Sequence, residues 1–315
     1  MPGLLLIGCL LSAHRAGFVS IVGYPNVGKS TLMNSLLDSK LAIATPKPGT
    51  TRHRILGIMN GPDYQLVYSD TPGLVLPQYK LHQGMMAAVK GSLVDADVVL
   101  LTVDVFQNEF EDEAILRQIN RLSAPLIVAL NKVDMLKPGS KLSHSTRAQM
   151  MTQDERLDFW RQRFPGASVL PVSAYYNEGT DALLQRMLAF LPEHEPFFPK
   201  DQISDRPERF FAAEMVREAI FTAYRQEVPY SCEVVVTSFK ELDEIIRIKA
   251  TIFVSSESQK GIVIGKGGAA LKAVGTRARK VMENFFVKKV YLETGVKVKR
   301  AWREDESALR EFGYI

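Results

Sequence analysis

The stretch Gly23-Tyr24-Pro25-Asn26-Val27-Gly28-Lys29-Ser30 fits the pattern G-x-x-x-x-G-K-[ST]. Ahead of it, Phe18-Val19-Ser20-Ile21-Val22 reads as a short buried strand, and from Ser30 to Leu37 the apolar residues fall at helical spacing. Strand, glycine loop and helix start, in that order, let the backbone turn inward so that several N–H groups converge on one anion. The positive end of the helix dipole then faces that anion. In such a loop Gly23, Val27, Gly28, Lys29, Ser30 and Thr31 would surround nucleotide phosphates. Lys29 would reach the β- and γ-phosphates, and the Ser30 hydroxyl would ligate Mg²⁺. A pattern this short also occurs as a plain Gly-rich turn before a helix, so its meaning depends on what stands at the ends of the other strands.

Working outward, the chain has 315 residues, 46% apolar and 23% charged, with a formal net charge of +4. The length predicts two domains or one large one, and the composition that of an ordinary globular protein rather than a disordered one. Cys9 and Cys232 are the two cysteines, far apart and in apolar company. They exclude a disulfide framework and a zinc site and point to a reducing compartment. Residues 1–17 read as a loosely ordered extension. Their apolar run Leu4 to Ala13 resembles the core of a signal peptide, but it lacks a basic n-region, and cleavage near Ala16 would cut almost at the first strand. The run is too short to span a membrane, and no other stretch approaches that length.

Downstream, 41–52 is a long loop rich in turn residues. Ile55 to Met59 and Tyr64 to Tyr68 read as strands joined at Asn60-Gly61. Continuous apolar strands at 98–103, 125–130 and 168–173 then alternate with helices ending near 94, 121, 164 and 190. This alternation predicts an α/β domain over 18–191, with a mostly parallel sheet covered on both faces and ligands at the carboxyl ends of its strands. The Pro-rich stretch 192–206 reads as a linker. Over 207–303 an α-β-β-α-α-β order predicts a smaller α+β domain, and 304–315 a tail.

The strand ends carry the chemistry. Asp70-Thr71-Pro72-Gly73 begins 47 positions beyond Gly23. There a carboxylate can hold Mg²⁺ through water, and the Gly73 N–H can contact the γ-phosphate. Asn131-Lys132-Val133-Asp134 follows the 125–130 strand. Asp134 could accept two N–H donors from guanine, a pair that adenine does not offer. Ser173-Ala174 ends the next strand, where small residues let backbone N–H groups approach the base. Each piece alone has a bland reading as a turn or a helix cap.

In this order the motifs resemble the translation-factor class of P-loop GTPases, over about residues 18 to 191 and with high specificity. The resemblance implies binding of GTP and GDP with Mg²⁺, the metal held by Ser30, Asp70 and a threonine of the mobile loop. That threonine is assigned to Thr51, with Thr50 as the alternative. Lys29, Asn26, Thr51 and Gly73 are the candidate catalytic residues. Leu74 stands where Ras-like enzymes carry the Gln that orients the attacking water. Similar GTPases with Asn at the Asn26 position are activated by K⁺, held partly by that side chain. The bland reading of Asn26 is tolerance of a tight turn.

Val263-Ile264-Gly265-Lys266-Gly267-Gly268 fits the G-x-x-G loop of a type II KH domain, which clamps about four nucleotides of single-stranded RNA. From Gln259 to Arg303 there are twelve Lys/Arg against Glu283 and Glu293, a bias toward a polyanion partner. Ile262, Val263 and Ile264 are candidates for the apolar strip under the bases, with Lys266, Lys272 and Arg279 on the backbone. A GTPase domain followed by a KH domain resembles the Era family of bacterial and organellar GTPases, from about Phe18 onward. Most members have Arg where Tyr24 stands. The family implies a cytoplasmic monomer, peripheral at the inner face of the cell membrane, that acts in 30S ribosomal subunit assembly. It would bind near the 3′ end of 16S rRNA, with GTP favouring the RNA-binding state. A regulatory GTPase acting on tRNA, or a GTP-gated RNA-binding module without turnover, remains as an alternative.

Overall fold

The computed structural model describes residues 14–107, 113–140 and 151–315. The apolar run of the N-terminal extension therefore lies outside the described residues. Six strands form the first sheet: β1 (Arg15–Val22), β2 (Ile55–Asn60), β3 (Tyr64–Asp70), β4 (Val98–Asp104), β5 (Leu126–Asn131) and β6 (Ser168–Pro171), in the order β2-β3-β1-β4-β5-β6. β2 runs antiparallel to β3, and every other pair is parallel. The central strands β1, β4 and β5 are mostly apolar because both faces of the sheet are covered. Val19, Ile21, Leu100 and Ala129 enter one core, while Val22, Leu101, Val103 and Val128 enter the core on the opposite face.

The helices on this sheet are α1 (Lys29–Leu37), α2 (Lys80–Val94), α3 (Glu113–Asn120), α4 (Gln153–Arg163) and α5 (Thr180–Phe190). α4 starts on a reciprocal cap. Thr152 Oγ1 accepts from the Glu155 N–H, and the Glu155 carboxylate accepts from the Thr152 N–H. The first strand begins at Arg15, three residues ahead of the sequence reading. Arg15 pairs with Tyr64, and Ala16 is fully buried.

Residues 192–206 are not a free tether. Gln65 is clasped by the backbone of this segment: its Oε1 accepts from Phe197 and Phe198 N–H, and its Nε2 donates to Phe198 O. Ile58 N–H donates to Ile203 O at 2.9 Å, so the segment covers the outer edge of β2, an edge that would otherwise present unpaired backbone.

The second unit places α6 (Glu208–Ala223), a single turn α7 (Val228–Ser231), α8 (Glu257–Ile264) and α9 (Ala269–Phe286) with a three-stranded sheet. In that sheet β7 (Glu233–Glu241) is antiparallel to β8 (Ile245–Val254), and β8 is parallel to β9 (Lys289–Val298). β9 pairs with β8 along its whole length, from Ile245↔Lys289 to Val254↔Val298. The last residues are not a loose tail either. Trp302 is fully buried, α10 (Glu306–Glu311) follows it, and Leu309, Phe312 and Tyr314 pack against Leu81 and Met85 of α2. The C-terminus thus closes onto the helix that follows Asp70-Thr71-Pro72-Gly73.

Candidate nucleotide site and nucleic-acid interface

The phosphate loop leaves β1 at Val22, and α1 begins at Lys29. Its helix N-cap is Gly28 at φ 99°, where a Cβ would meet Asn131 Nδ2 at 2.3 Å, so only glycine fits. No acidic residue stands in the first turn of α1, and no side chain caps it. Its first N–H groups are therefore free to take an anion. Lys29 folds back, donating to Gly23 O and Tyr24 O at 3.0 Å each. Burial pulls its ammonium down to about 8, against the opposing pull of Asp70. A phosphate oxygen would supply the missing counter-charge.

Beside it, Ser30 Oγ donates to Asp70 Oδ2 at 2.7 Å and lies 2.8 Å from Thr51 Oγ1, which is itself 3.4 Å from the same carboxylate. Thr51, and not Thr50, joins this group. Asp70 is fully buried, and its Oδ1 has no hydrogen-bond partner. Burial pushes its carboxyl up to about 6, only partly offset by Lys29 and by the Ser30 and Thr51 hydroxyls. A buried carboxylate with an orphaned oxygen, flanked by two hydroxyls, suits a hard divalent cation. These residues fit Mg²⁺.

At the other end of the cleft Asn131 acts as a strap. Its Nδ2 donates to Val27 O (2.8 Å), and its Oδ1 accepts from the Lys132 N–H (2.8 Å) and the Ala174 N–H (3.0 Å). The amide thus joins the phosphate loop to both base-side loops, and Val27 O takes one of the two Nδ2 hydrogens. Lys132, at φ 64°, donates to Asn26 O (2.6 Å) and Asp104 Oδ2 (2.8 Å), so its stem lies along the cleft wall. Ser173 Oγ donates to Asp134 Oδ1 at 2.6 Å, which orients that carboxylate. The cleft encloses about 810 Å³, room for a nucleotide, with Phe106 and Tyr175 flanking its base end. Asn26 is exposed at φ 65°, a conformation Asn tolerates well. Leu74 is buried in the apolar core and cannot orient water. Tyr24 packs against that same core.

In the second unit α8 ends at Gly265, whose φ of 70° and 2.6 Å approach to Ala270 Cβ exclude a side chain. The turn Lys266–Gly268 follows, and then the N-terminus of α9, again with no acidic residue in its first turn. Lys266 and Lys272 are exposed, as is Ile262, and Ile264 is half-buried. Val263 is fully buried, and its carbonyl accepts from Tyr224 Oη at 2.7 Å. It belongs to the domain core, a correction to its place in the apolar strip. Arg279 is engaged by Glu283 at 2.8 Å. The shallow groove along α9 is lined instead by Lys272, Arg277 and Lys280.

The profile of the 50S ribosome-binding GTPase family matches residues 18–132, and that of the KH domain matches residues 227–303. The chain is 42% identical to the GTPase Era of Syntrophus aciditrophicus over 311 residues, 98% of this chain and 97% of that protein. It is also 42% identical to the chloroplastic ERA-like GTPase of Oryza sativa, covering 96% of this chain and 70% of that one. A crystal structure of Era in complex with MgGDPNP and nucleotides 1506–1542 of 16S ribosomal RNA is similar at TM-score 0.86 and 39% identity, covering 96% of this chain and 99% of that one.

The chain belongs to the Era family of GTPases.

Among Era-family features, the P-loop, the Asp70 and Asp134 loops and the G-x-x-G turn were each legible as local motifs. Asp104, Phe106 and Tyr175 were missed. Asp104 is the last residue of the apolar strand β4, Phe106 stands two residues beyond it and Tyr175 follows Ser173-Ala174, so their positions at strand ends are the available signal. Among the described residues no helix is long and apolar enough to cross a membrane.

Proposed function

We propose that this chain is a GTP-hydrolysing ribosome assembly factor whose KH domain binds single-stranded RNA near the 3′ end of 16S rRNA in the 30S subunit, the bound nucleotide controlling RNA affinity. The observation that carries the reading is one chain uniting two sites. A buried Asp70, with an orphaned oxygen beside Ser30, Thr51 and Lys29, stands in one domain, and a cation-rimmed G-x-x-G turn stands in the other.

In hydrolysis, a water oxygen bonds to the γ-phosphorus as the bond from that phosphorus to the β–γ bridging oxygen breaks, giving GDP and phosphate. The α1 N–H groups and Lys29 would gather the charge on the leaving side, and the Gly73 N–H would hold the γ-phosphate. Mg²⁺, held by Ser30, Thr51 and Asp70, would neutralise phosphate charge when bound. Asp134, oriented by Ser173, would accept the two N–H donors of guanine, beside the Ala174 backbone that Asn131 Oδ1 holds in place. With Leu74 buried, no side chain in the Gln position can orient water, so the missing charge is assigned to K⁺ at Asn26.

The test is turnover of GTP against ATP, with and without Mg²⁺ and 30S subunits, alongside titration of single-stranded RNA. Mg²⁺-dependent, GTP-selective turnover with RNA binding is expected. RNA binding without turnover, even with 30S subunits, would leave a GTP-gated binding module. Equal rates in K⁺ and Na⁺, or no loss on Asn26→Ala, would remove K⁺ from the account. Sedimentation of the purified chain as a monomer, and its flotation with vesicles of inner-membrane lipid, test the oligomeric and peripheral-membrane parts.

A further inference from the structure

The residue after Thr51 is almost wholly engaged by the other domain. Arg52 is buried, and its guanidinium donates to Cys232 O at 2.8 Å, Tyr230 O at 2.8 Å, Pro229 O at 3.5 Å and Glu233 Oε2 at 3.0 Å. All four acceptors lie at the α7–β7 junction, where the second sheet begins. Glu233 is held in turn by Tyr314 Oη at 2.6 Å, and the Arg52 guanidinium lies 5.6 Å from the Trp302 ring centre. The residues around Arg52 are anchored in the same way. Lys47 Nζ donates to Phe221 O and Tyr224 O at the C-terminal end of α6, where the helix dipole favours a cation. The His53 ring stacks on Tyr314 at 4.3 Å.

The loop that presents Thr51 to Asp70 is therefore tied at Leu41 and Ala42 to Asn34 of its own domain, but from Lys47 to His53 it is seated on the RNA-binding unit. We infer that Arg52 is the positioning residue that couples the two sites: it fixes Thr51 relative to Asp70 and Ser30 only while the α7–β7 junction is in place. Coupling of this kind is reciprocal. If RNA on the KH unit steadies that junction, it favours the Thr51 arrangement that GTP needs, and GTP must raise RNA affinity by the same factor. A planar fork meeting four acceptors is a geometry that Lys cannot reproduce, although it keeps the charge.

The inference rests on the function proposed above. Its test is a thermodynamic cycle on the full chain with an RNA of 16S nucleotides 1506–1542, the segment bound in the Era crystal structure. RNA affinity is measured in GDPNP and in GDP, and the ratio is the coupling factor. Hydrolysis is followed with and without RNA, and thermal unfolding is recorded for each variant. In Arg52→Lys the factor is expected to fall to within twofold of unity. GDP affinity and RNA affinity in GDP should stay within about twofold of wild type, since Arg52 touches neither ligand, and RNA should no longer change kcat or KM for GTP.

Tyr314→Phe removes one hydroxyl from the same carboxylate and keeps the inference testable where Arg52→Lys unfolds. The expected result is a coupling factor at least halved. Wild-type coupling retained in the variants, with only the unfolding midpoint lowered, would reduce Arg52 to a structural tie and overturn the inference. A wild-type chain that binds RNA equally in GDPNP and GDP, or not at all, would instead overturn the function on which it rests.

Discussion

Replacing Asp70 with Asn should stabilise the nucleotide-free chain while destroying its response to Mg²⁺. Asp70 is completely buried, and its carboxyl is pushed from 3.8 to about 6, burial outweighing Lys29 and the Ser30 and Thr51 hydroxyls. At about 1.4 kcal/mol per pH unit, that corresponds to about 3 kcal/mol held against the ionised form. The folded chain retains this proton more tightly than the unfolded chain. The stability owed to Asp70 is therefore complete below pH 3.8 and is lost as pH rises through about 6. Lys29, brought down to about 8, stays protonated across this window.

Other carboxylates titrate in the same range. Glu214, drawn below its usual range by Arg217 despite the opposing effect of burial, pulls stability the other way. The informative quantity is accordingly the difference between Asp70→Asn and wild type, measured by urea titration from pH 3.5 to 7.5. It should rise from near zero to about 3 kcal/mol in favour of the variant. At roughly 2 °C per kcal/mol for a chain of this size, the nucleotide-free thermal midpoint should rise by about 6 °C at pH 7.5. Adding Mg²⁺ and GDP should stabilise wild type and reverse the order. A difference that is flat with pH, or a variant less stable than wild type without Mg²⁺, would refute the reasoning.

Asp134→Asn should weaken GTP binding by about 100-fold, since a carboxylate accepting two N–H bonds becomes an amide that can accept only one. Competition against xanthosine triphosphate checks it, because that base offers an acceptor where guanine offers an amino group. Trp302→Ala should cost about 3–5 kcal/mol by opening a cavity beneath the C-terminal segment, and urea unfolding followed by Trp160 fluorescence would report it. Removing both exposed charges in Lys266→Ala with Lys272→Ala should lower RNA affinity and reduce its dependence on salt by about one to two phosphate contacts. Binding isotherms at several salt concentrations give the slope.

The first domain was legible because its site is assembled from strand ends. Each apolar run terminates in a short motif, and parallel packing gathers those termini at one edge of the sheet. The α-β-β-α-α-β order of the second was legible for a similar local reason, its helix break at Gly265 being written in glycines. What escaped reading depends on contacts between distant residues. Arg52 and Glu233 are 181 positions apart, and nothing local to either names the other. Leu309 and Phe312 read as tail because α10 is six residues long, too short for a period to emerge, and their partners lie on α2. Asn131 was legible as part of its motif, but its role as a strap was not, because Val27 and Ala174, which it joins, lie 104 and 43 positions away. Val263 could be separated from Ile262 and Ile264 only by knowing which face of α8 meets β8 and β9.

The most direct measurement of the central claim is crosslinking of the intact chain, in its GTP-analogue and GDP states, to total cellular RNA, followed by sequencing of the bound segments. Reads are expected to concentrate at the 3′ end of small-subunit ribosomal RNA, to be enriched in the GTP-analogue state and to be depleted by Lys266→Ala with Lys272→Ala. Reads concentrated on transfer RNA or elsewhere, or a pattern indifferent to nucleotide, would contradict it.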